Sequence, residues 1–388
     1  MNGRIPLFLA VFLSGAALAA SKPILVFNED NSAYYLNKYG GAIDEQGYRA
    51  YVREIASGGR FTHFFMCPNA MCCNIPSKVM TTTWDAVARP GVHVESWQRG
   101  VAEMHRRSTG AKDDIYAVWA DECRKQGLSP WFSIRMNDCH AVEMVTNAQH
   151  SAFWLSHPEL RRVPHSTFWI SAALDYAHPE VRAYILGFIR EALEQYDVDG
   201  IELDWLRFIE HLTPGHETEL TGCLDEVVRE TRVLADAAAK RLGHPVRVGA
   251  RIASRPETAR ARGMDYLRWA RSRWIDWLVV GNCWMSTDFN LPYARWAEEV
   301  HAANPDVTVL PSTDNGALKD GKRHPLSLAE YSAFADRMYR QGAPGVYLFD
   351  FFDNPKTNGV WKAVIAEGLE PGRVAERARG VVVTDKHD

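Results

Sequence analysis

The chain has 388 residues, of which 46% are hydrophobic and 24% are charged. These proportions are ordinary for a soluble globular protein, and a chain of this length has room for one large domain or two ordinary ones. The formal net charge is only −4, without a long run of one sign, which argues against nucleic acid and anionic membrane as main partners.

The first twenty residues differ from the rest of the chain. Arg4 is followed by an apolar run from Ile5 to Leu13 and by small residues that end in Ala17-Leu18-Ala19. This layout predicts a secretory signal peptide over residues 1–20, and the apolar run is too short to span a bilayer comfortably. A retained membrane anchor is the alternative. We expect an exported protein, periplasmic or extracellular, with no membrane span once the signal is removed.

Eight short β-rich runs then follow, each ending in polar residues. They cover residues 23–31, 60–69, 129–138, 198–207, 246–254, 274–284, 307–315 and 345–354. The stretches between them have apolar residues at helical spacing. The clearest helices are predicted over 178–196, with Pro179 at the start, over 217–243, with Gly243 as C-cap, and over 327–342, with a capping box of Ser327 and Glu330.

This alternation of strands and helices predicts an α/β fold with a parallel sheet, and eight units predict a (β/α)8 TIM barrel over residues 21–370. An open doubly wound sheet is the alternative, but no G-x-G-x-x-G follows the first strand. Long βα segments follow strands 2 and 3, over 68–112 and 137–177, and are expected to shape a cleft. Residues 371–388 are expected to form a peripheral tail.

Two carboxylates lie within one of the predicted strands, in the segment "DVDGIELDWLRF" over 197–208. Because alternate side chains of a strand share a face, Glu202 and Asp204 point the same way, and Ile201, Leu203 and Trp205 point the other way. In a barrel the carboxylates are expected inside, with Asp204 nearer the carboxyl-terminal mouth, where barrel enzymes place catalytic groups. The alternative is that both form structural ion pairs with Arg135 or Arg251.

Acids, amides and arginines also end most of the other strands. Singly, each is more often a helix cap or a loop residue, but together they indicate a ligand site. The expected substrate-binding residues are Asn28, Asp30, Arg135, Asn137, Asp138, Trp205, Arg207, Arg251, Asn282, Trp284 and Asp353. This mixture suits a sugar, because hydroxyls bind acids, amides and arginine, and pyranose faces lie on aromatic rings such as Trp154 and Trp169.

Glycoside hydrolysis needs two carboxyl groups, one with a raised pKa as the acid and one ionised as nucleophile or base. Asp204 is the expected ionised partner. The candidates for the acid are Asp350, Asp314 and Glu202, which the sequence does not rank.

Nothing in the sequence indicates a cofactor or a metal. No H-x-H motif ends the first strand, and no glycine-rich phosphate cradle follows strand 7 or 8. The seven cysteines lack paired C-x-x-C spacing and are expected to be mainly buried free thiols; one disulfide among Cys67, Cys72 and Cys73 is the alternative.

The segment 173–208 resembles secreted bacterial barrels of the glycosyl hydrolase-like family 10. Asp175 precedes the helix, "HPEVR" over 178–182 begins it, and "YDVDGIELD" over 196–204 follows, as in the family pattern. The resemblance implies a TIM-barrel glycosidase acting on a polysaccharide or a cell-envelope glycan, with Asp204 as the strand-4 acid. Glu202 departs from the pattern, since the wider group often has histidine there. A non-catalytic glycan-binding barrel, and a lyase or transglycosylase, are the alternatives.

Overall fold

The architecture is a closed barrel of parallel strands surrounded by helices. The computed structural model describes residues 22–30, 34, 42–107, 114–283, 286–319, 321–351 and 359–381. The predicted signal peptide, Trp284 and Asp353 therefore lie outside the described residues. Around the barrel the strands follow one another in the order 24–29, 345–348, 308–313, 277–281, 247–253, 200–204, 129–135 and 63–66, which confirms the predicted (β/α)8 fold.

Each of the eight predicted β-rich runs contains one barrel strand. These strands are β1 (Ile24–Glu29), β2 (His63–Met66), β3 (Ser129–Arg135), β4 (Gly200–Asp204), β5 (Arg247–Ala253), β6 (Trp277–Gly281), β7 (Thr308–Thr313) and β10 (Gly345–Leu348). A two-stranded antiparallel hairpin, β8 (Gly316–Lys319) and β9 (Lys322–Pro325), was not predicted; it lies between β7 and the next helix.

Thirteen α-helices are assigned within the described residues. They are α1 (Glu45–Ala56), α2 (Thr83–Val87), α3 (Ser96–Arg107), α4 (Ile115–Lys125), α5 (Ala152–Ser156), α6 (Pro179–Gln195), α7 (Thr221–Leu242), α8 (Pro256–Ala261), α9 (Tyr266–Arg271), α10 (Tyr293–Ala303), α11 (Leu328–Arg340), α12 (Val360–Glu367) and α13 (Pro371–Arg377). Within this part of the chain, no helix is long and apolar enough to cross a membrane.

The residues predicted to begin or end three of the helices do so in the structure. Pro179 opens α6, the capping box of Ser327 and Glu330 opens α11, and Gly243 closes α7 with a φ of 80°. Helix α7 begins at Thr221, four residues later than expected from 217, because the preceding residues form a turn in which the Leu220 amide donates to the His216 carbonyl.

Two apolar cores lie on opposite sides of the barrel wall. Ile201 and Leu203 face outward into the large core beneath the helices. The inner core closes the amino-terminal end of the barrel and includes Phe65, Trp131 and Trp277. Gly200 makes room for it, because a Cβ there would lie 2.4 Å from the Trp131 ring. The carboxyl ends of the strands are therefore left free to form a polar mouth.

The long segments after β2 and β3 pack on each other beside this mouth. His93 and Asn147 form a bridge between them, and the side chain of Gln98 donates to Asn147 at 3.1 Å. All seven cysteines are free, five of them buried, so the predicted free thiols are confirmed.

Candidate active site

Glu202 and Asp204 both point into the barrel, as the two-residue alternation predicts. They are 0% and 2% exposed, and Asp204 stands in register with Arg135 on β3 and Arg251 on β5. Asp204 lies at the end of β4 and Glu202 lies one layer deeper.

Asp204 is saturated with hydrogen bonds. Arg251 donates from Nε to Oδ1 at 3.0 Å and from Nη2 to Oδ2 at 3.1 Å. The backbone amides of Leu206 and Arg207 donate to Oδ1 at 3.0 and 3.1 Å. Because a carboxylate offers about four lone-pair sites, these contacts leave Asp204 little capacity to react. The predicted pairing with Arg251 is thus present, whereas Arg135 pairs elsewhere.

A chain of alternating charges crosses the mouth next to Asp204. Arg135 pairs with Asp30 and, at 2.7 Å, with Asp138. Arg207 contacts Asp30 at 3.5 Å and Asp350 at 3.0 Å. One network therefore contains four residues expected to bind substrate and one candidate acid. The four are Asp30, Arg135, Asp138 and Arg207, and the acid is Asp350.

Asp138 has a second partner in His140, whose Nδ1 lies 2.9 Å from Oδ1. Although burial opposes ionisation, His140 and Arg135 hold the pKa of Asp138 well below its usual range. We therefore regard Asp138 as an ionised structural member of the network.

Asp350 follows β10 with an unusual backbone conformation. Its φ is +51°, a region that residues other than glycine seldom adopt. Strain of this kind is concentrated at functional sites when the surrounding contacts hold it. Here the contact with Arg207 and 2% exposure hold Asp350 at the mouth.

Asp314, at the end of β7, has a different environment from the other mouth aspartates. It is 4% exposed, and its Oδ1 accepts from the Asn315 amide at 2.7 Å. Within the part of the chain that the structure describes, it makes no ion pair, although Asp30, Asp138, Asp204 and Asp350 each contact an arginine. Burial raises the pKa of Asp314 to about 6 against the opposing charge of Arg207.

Glu202 belongs to a hydroxyl network inside the barrel. Ser133 donates to its Oε1 at 2.7 Å and Tyr347 at 2.9 Å, while Asn28 donates to the Tyr347 hydroxyl at 2.8 Å. Its Oε2 has no hydrogen-bond partner among the described residues. Burial and then the charge of Asp204 raise the pKa of Glu202 to about 7. Glu202 is therefore suited to carrying a proton, but it is deeply placed.

Of the other residues expected to bind substrate, Asn282 and Asn137 lie near strand ends, whereas Trp205 lies outside the barrel. Asn282 follows β6 and donates to Ser286 at 2.8 Å, and Asn137 exchanges hydrogen bonds with the backbone of Leu174 at 2.9 and 3.0 Å. Trp205, expected to bind substrate, is 0% exposed and packs outside the barrel against Tyr176 and His211, because the alternation along β4 turns it outward.

Two aromatic residues on the inward face of the barrel were not predicted from the sequence. Tyr347 is the partner of Glu202, and the Phe349 ring lies 3.6 Å from the Arg251 guanidinium carbon. Both lie on the inward face of the β10 segment, alternating with Val346 and Leu348. The same two-residue alternation that placed Glu202 and Asp204 would have found them.

No cluster of three or more His, Cys, Asp or Glu side chains in the described part of the chain is arranged to hold a metal ion.

Comparisons with known proteins support the family resemblance and the fold. Residues 91–221 match the family model described as "Glycosyl hydrolase-like 10", which confirms the resemblance. No curated protein matches the chain. The match contains Asp138, Glu202, Asp204 and Arg207 but neither Asp314 nor Asp350.

Solved structures with the same fold include two carbohydrate-active proteins. The glycoside hydrolase domain of PgaB (BpsB) from Bordetella bronchiseptica superposes with a TM-score of 0.51 at 10% identity, over 89% of this chain and 98% of that one. Chitinase ChiW from Paenibacillus sp. gives 0.50 at 11% identity over 90% of this chain; the chain spans only 43% of that protein. At these identities the likeness shows the fold alone.

Proposed function

We propose that this chain, whose residues 91–221 match a glycoside hydrolase-like family, is a glycoside hydrolase that uses two carboxyl groups. The observation that carries the proposal is the contrast at the mouth between Asp314 and the arginine-paired aspartates. Burial raises the pKa of Asp314 to about 6, while Asp350 contacts Arg207 at 3.0 Å. Titratable pairs whose environments separate their pKa values are a mark of acid–base assignment.

In this proposal Asp314 is the general acid. It gives its proton to the glycosidic oxygen as the bond to the anomeric carbon breaks, so that the leaving sugar departs as a neutral alcohol. A buried carboxyl with a raised pKa is suited to this step, because it keeps its proton up to about pH 6, where an ordinary aspartate is already ionised.

Asp350 is the ionised partner, with Arg207 favouring its charged form. It faces the anomeric carbon, either as nucleophile or as the base that activates water. We prefer Asp350 to Asp204 for this role because the Asp204 oxygens already accept four hydrogen bonds. Asp204 instead positions Arg251, and Glu202 has a structural role one layer deeper in the barrel, where it accepts hydrogen bonds from Ser133 and Tyr347.

The sequence supports the proposed location and the proposed class of substrate. The pattern over residues 1–20 supports export, and an exported glycosidase meets polysaccharides or cell-envelope glycans. The amide and arginine side chains at the mouth supply hydrogen-bond partners for sugar hydroxyls. No cofactor is part of the proposed mechanism.

A non-catalytic glycan-binding barrel is the second candidate. It is favoured by the arginine contacts of Asp30, Asp138, Asp204 and Asp350, since buried, paired carboxylates are also found as purely structural networks.

The experiment is a glycan panel assayed for new reducing ends with wild type, Asp314→Asn, Asp350→Asn and a surface control, Asp306→Asn, whose side chain is 69% exposed. We expect wild type and Asp306→Asn to cleave one glycan, and both mouth variants to lose activity. Binding of a glycan without cleavage would select the second candidate. Unsaturated or transferred products would indicate a lyase or a transglycosylase, and unchanged rates in both mouth variants would refute the residue assignment.

A further inference from the structure

An exposed pair of aromatic rings lies on the long segment after β3. Phe168 is 74% exposed and Trp169 is 45% exposed. Among the described residues, no other phenylalanine or tryptophan is exposed. Exposed apolar patches that survive in a soluble protein commonly mark interaction sites, and these two rings have no part in the proposed chemistry.

The rings are carried by a loop with an ordered stem, which we call the 161–174 loop. Arg161 and Leu174 pair as an antiparallel bridge, and the Arg162 and Val163 amides donate to the Ala173 and Ser171 carbonyls at 2.8 and 3.0 Å. The Phe168 amide donates to Ser166 Oγ at 3.0 Å. The rings are therefore presented by a shaped backbone, which lowers the entropy that binding must overcome.

Two buried arginines fix the base of this loop. Arg161 lies 3.6 Å from the Trp154 ring centroid and donates to the Ser166 carbonyl at 2.6 Å. Arg162 pairs with Glu210 at 2.8 Å and donates to the Leu212 carbonyl at 2.7 Å. These two partners of Arg162, and a third at Glu217, belong to the segment that follows β4. The loop is therefore held against the segment that carries Arg207.

The stem also reaches the mouth directly. Leu174, at its end, exchanges hydrogen bonds with Asn137, which lies two residues beyond the end of β3. The stem of the aromatic loop is therefore joined to the polar mouth through Asn137.

The chemistry of the tip suits a sugar better than a charged partner. Residues 163–171, "VPHSTFWIS", contain no Asp, Glu, Lys or Arg, and they include one imidazole and three hydroxyls besides the two rings. Aromatic faces accept the C–H faces of pyranose rings, and hydroxyls and imidazole bond to sugar hydroxyls. A neutral surface offers no attraction to anionic lipid or to nucleic acid.

We propose that Phe168 and Trp169 form a carbohydrate-binding platform that holds a distant part of a polymeric glycan while another part occupies the mouth. The inference rests on the proposed function for its choice of ligand, but not on catalysis. It assigns the rings to polymer binding and leaves cleavage of small substrates to the mouth.

The test is retention of the full chain on insoluble chitin, insoluble xylan and purified peptidoglycan sacculi, measured as bound fraction against polymer concentration. The variants are Phe168→Ala, Trp169→Ala and the double variant. The matched control is Val233→Ala, which shortens another exposed apolar side chain, 57% exposed, on α7. Phe168→Tyr and Trp169→Phe keep aromatic rings and serve as conservative variants.

We expect wild type to be retained by at least one polymer, and the double variant to bind it at least about tenfold more weakly, as loss of aromatic anchors usually does. Val233→Ala and the two conservative variants should bind like wild type. Retention on no polymer, or equal retention of wild type and double variant, would overturn the proposal. So would binding to phosphatidylcholine or phosphatidylglycerol vesicles that is lost in the double variant while polymer binding persists.

Failure of the platform can be told apart from failure of the proposed hydrolase. Asp314→Asn should remain bound to the polymer while cleaving nothing. In the double variant, KM for the polymer should rise while kcat/KM for a small aryl glycoside stays unchanged. If the chain bound the polymer through its rings but cleaved no glycan, the proposed hydrolase activity would be refuted and the proposed binding platform would not.

Discussion

The guanidinium of Arg251 contacts both carboxylate oxygens of Asp204, while its carbon lies 3.6 Å from the centroid of the Phe349 ring. Arg251 and Asp204 are each 2% exposed. The contact joins β5 to β4 and to the residue that follows β10, so one pair links three parts of the mouth. The amides of Leu206 and Arg207 bond to the same carboxylate, which orients the backbone that carries Arg207 toward Asp350.

We predict that Asp204→Asn is strongly destabilising. The substitution removes the charge that compensates a buried guanidinium, and breaking a buried pair from one side costs about 3–5 kcal/mol. The free energy of unfolding from urea titrations measures the loss. Activity should fall with it, because Arg251 and the 205–207 backbone lose their common anchor.

An exposed pair provides the control for this measurement. Arg273 and Asp306 lie 3.0 Å apart but are 73% and 69% exposed, so Asp306→Asn should change stability by less than about 1 kcal/mol. If Asp204→Asn were as mild as Asp306→Asn, Asp204 would not have the anchoring role described above.

A second prediction concerns the pH dependence of stability at Glu202. The carboxyl retains its proton in the folded state up to about pH 7, whereas an unfolded glutamate loses it near pH 4.3. Between these values the folded state binds more protons, so the Glu202 contribution to stability falls as pH rises. The two pKa values differ by roughly 2.7 units, which corresponds to a change of about 4 kcal/mol once the carboxyl is ionised in both states.

Glu202→Gln should remove that dependence. The amide has no proton to lose, so the stability of the variant relative to wild type should improve from pH 5 to pH 8. Urea unfolding at both pH values, with both proteins, measures the difference. Parallel stability profiles for the two proteins would show that Glu202 is not protonated in the folded state.

The barrel could be predicted from sequence because its signal is local. The alternation of inward and outward side chains along a strand is contained in one short stretch of sequence, as in Ile201, Glu202, Leu203 and Asp204. Residues such as Pro179 mark where a helix begins. The hairpin of β8 and β9 was missed because each strand has only four residues. "KRHP" is mainly polar and "GALK" has only two adjacent apolar side chains, so neither shows the apolar pattern that identifies buried strands.

The site was predictable only in part, because its contacts join distant positions. The alternation along β4 correctly places Asp204 at the mouth. Which arginine contacts which acid is not local: Arg207 meets Asp350 across 143 positions and Arg135 meets Asp30 across 105. The contrast between Asp314 and its arginine-paired neighbours therefore emerges only from the folded chain.

Replacing Asp350 by asparagine should remove activity while the protein stays folded, because Arg207 keeps Asp30 as a charged partner at 3.5 Å. Asparagine tolerates a positive φ, so the backbone of +51° is retained while the proposed ionised partner is lost. We expect kcat/KM to fall on the order of 10³-fold or more. Asp336→Asn on α11, where the aspartate pairs with Arg340 at 2.8 Å, is the control and should keep normal rates. Normal rates in Asp350→Asn as well would exclude Asp350 from the chemistry.

The acid role of Asp314 predicts a particular dependence on pH and on the leaving group. Because burial raises its pKa to about 6, the proton required for catalysis is lost above that pH, and wild-type kcat/KM should decline on the alkaline side. Asp314→Asn should abolish this decline and lower the rate by about 10²–10⁴-fold for natural glycosides, whose alkoxide leaving groups need a proton. For a dinitrophenyl glycoside, whose leaving group departs as a stable anion, the loss should be small. Rates measured from pH 4 to 9 with both substrates decide the matter, since equal losses for the two leaving groups would assign the proton to another residue.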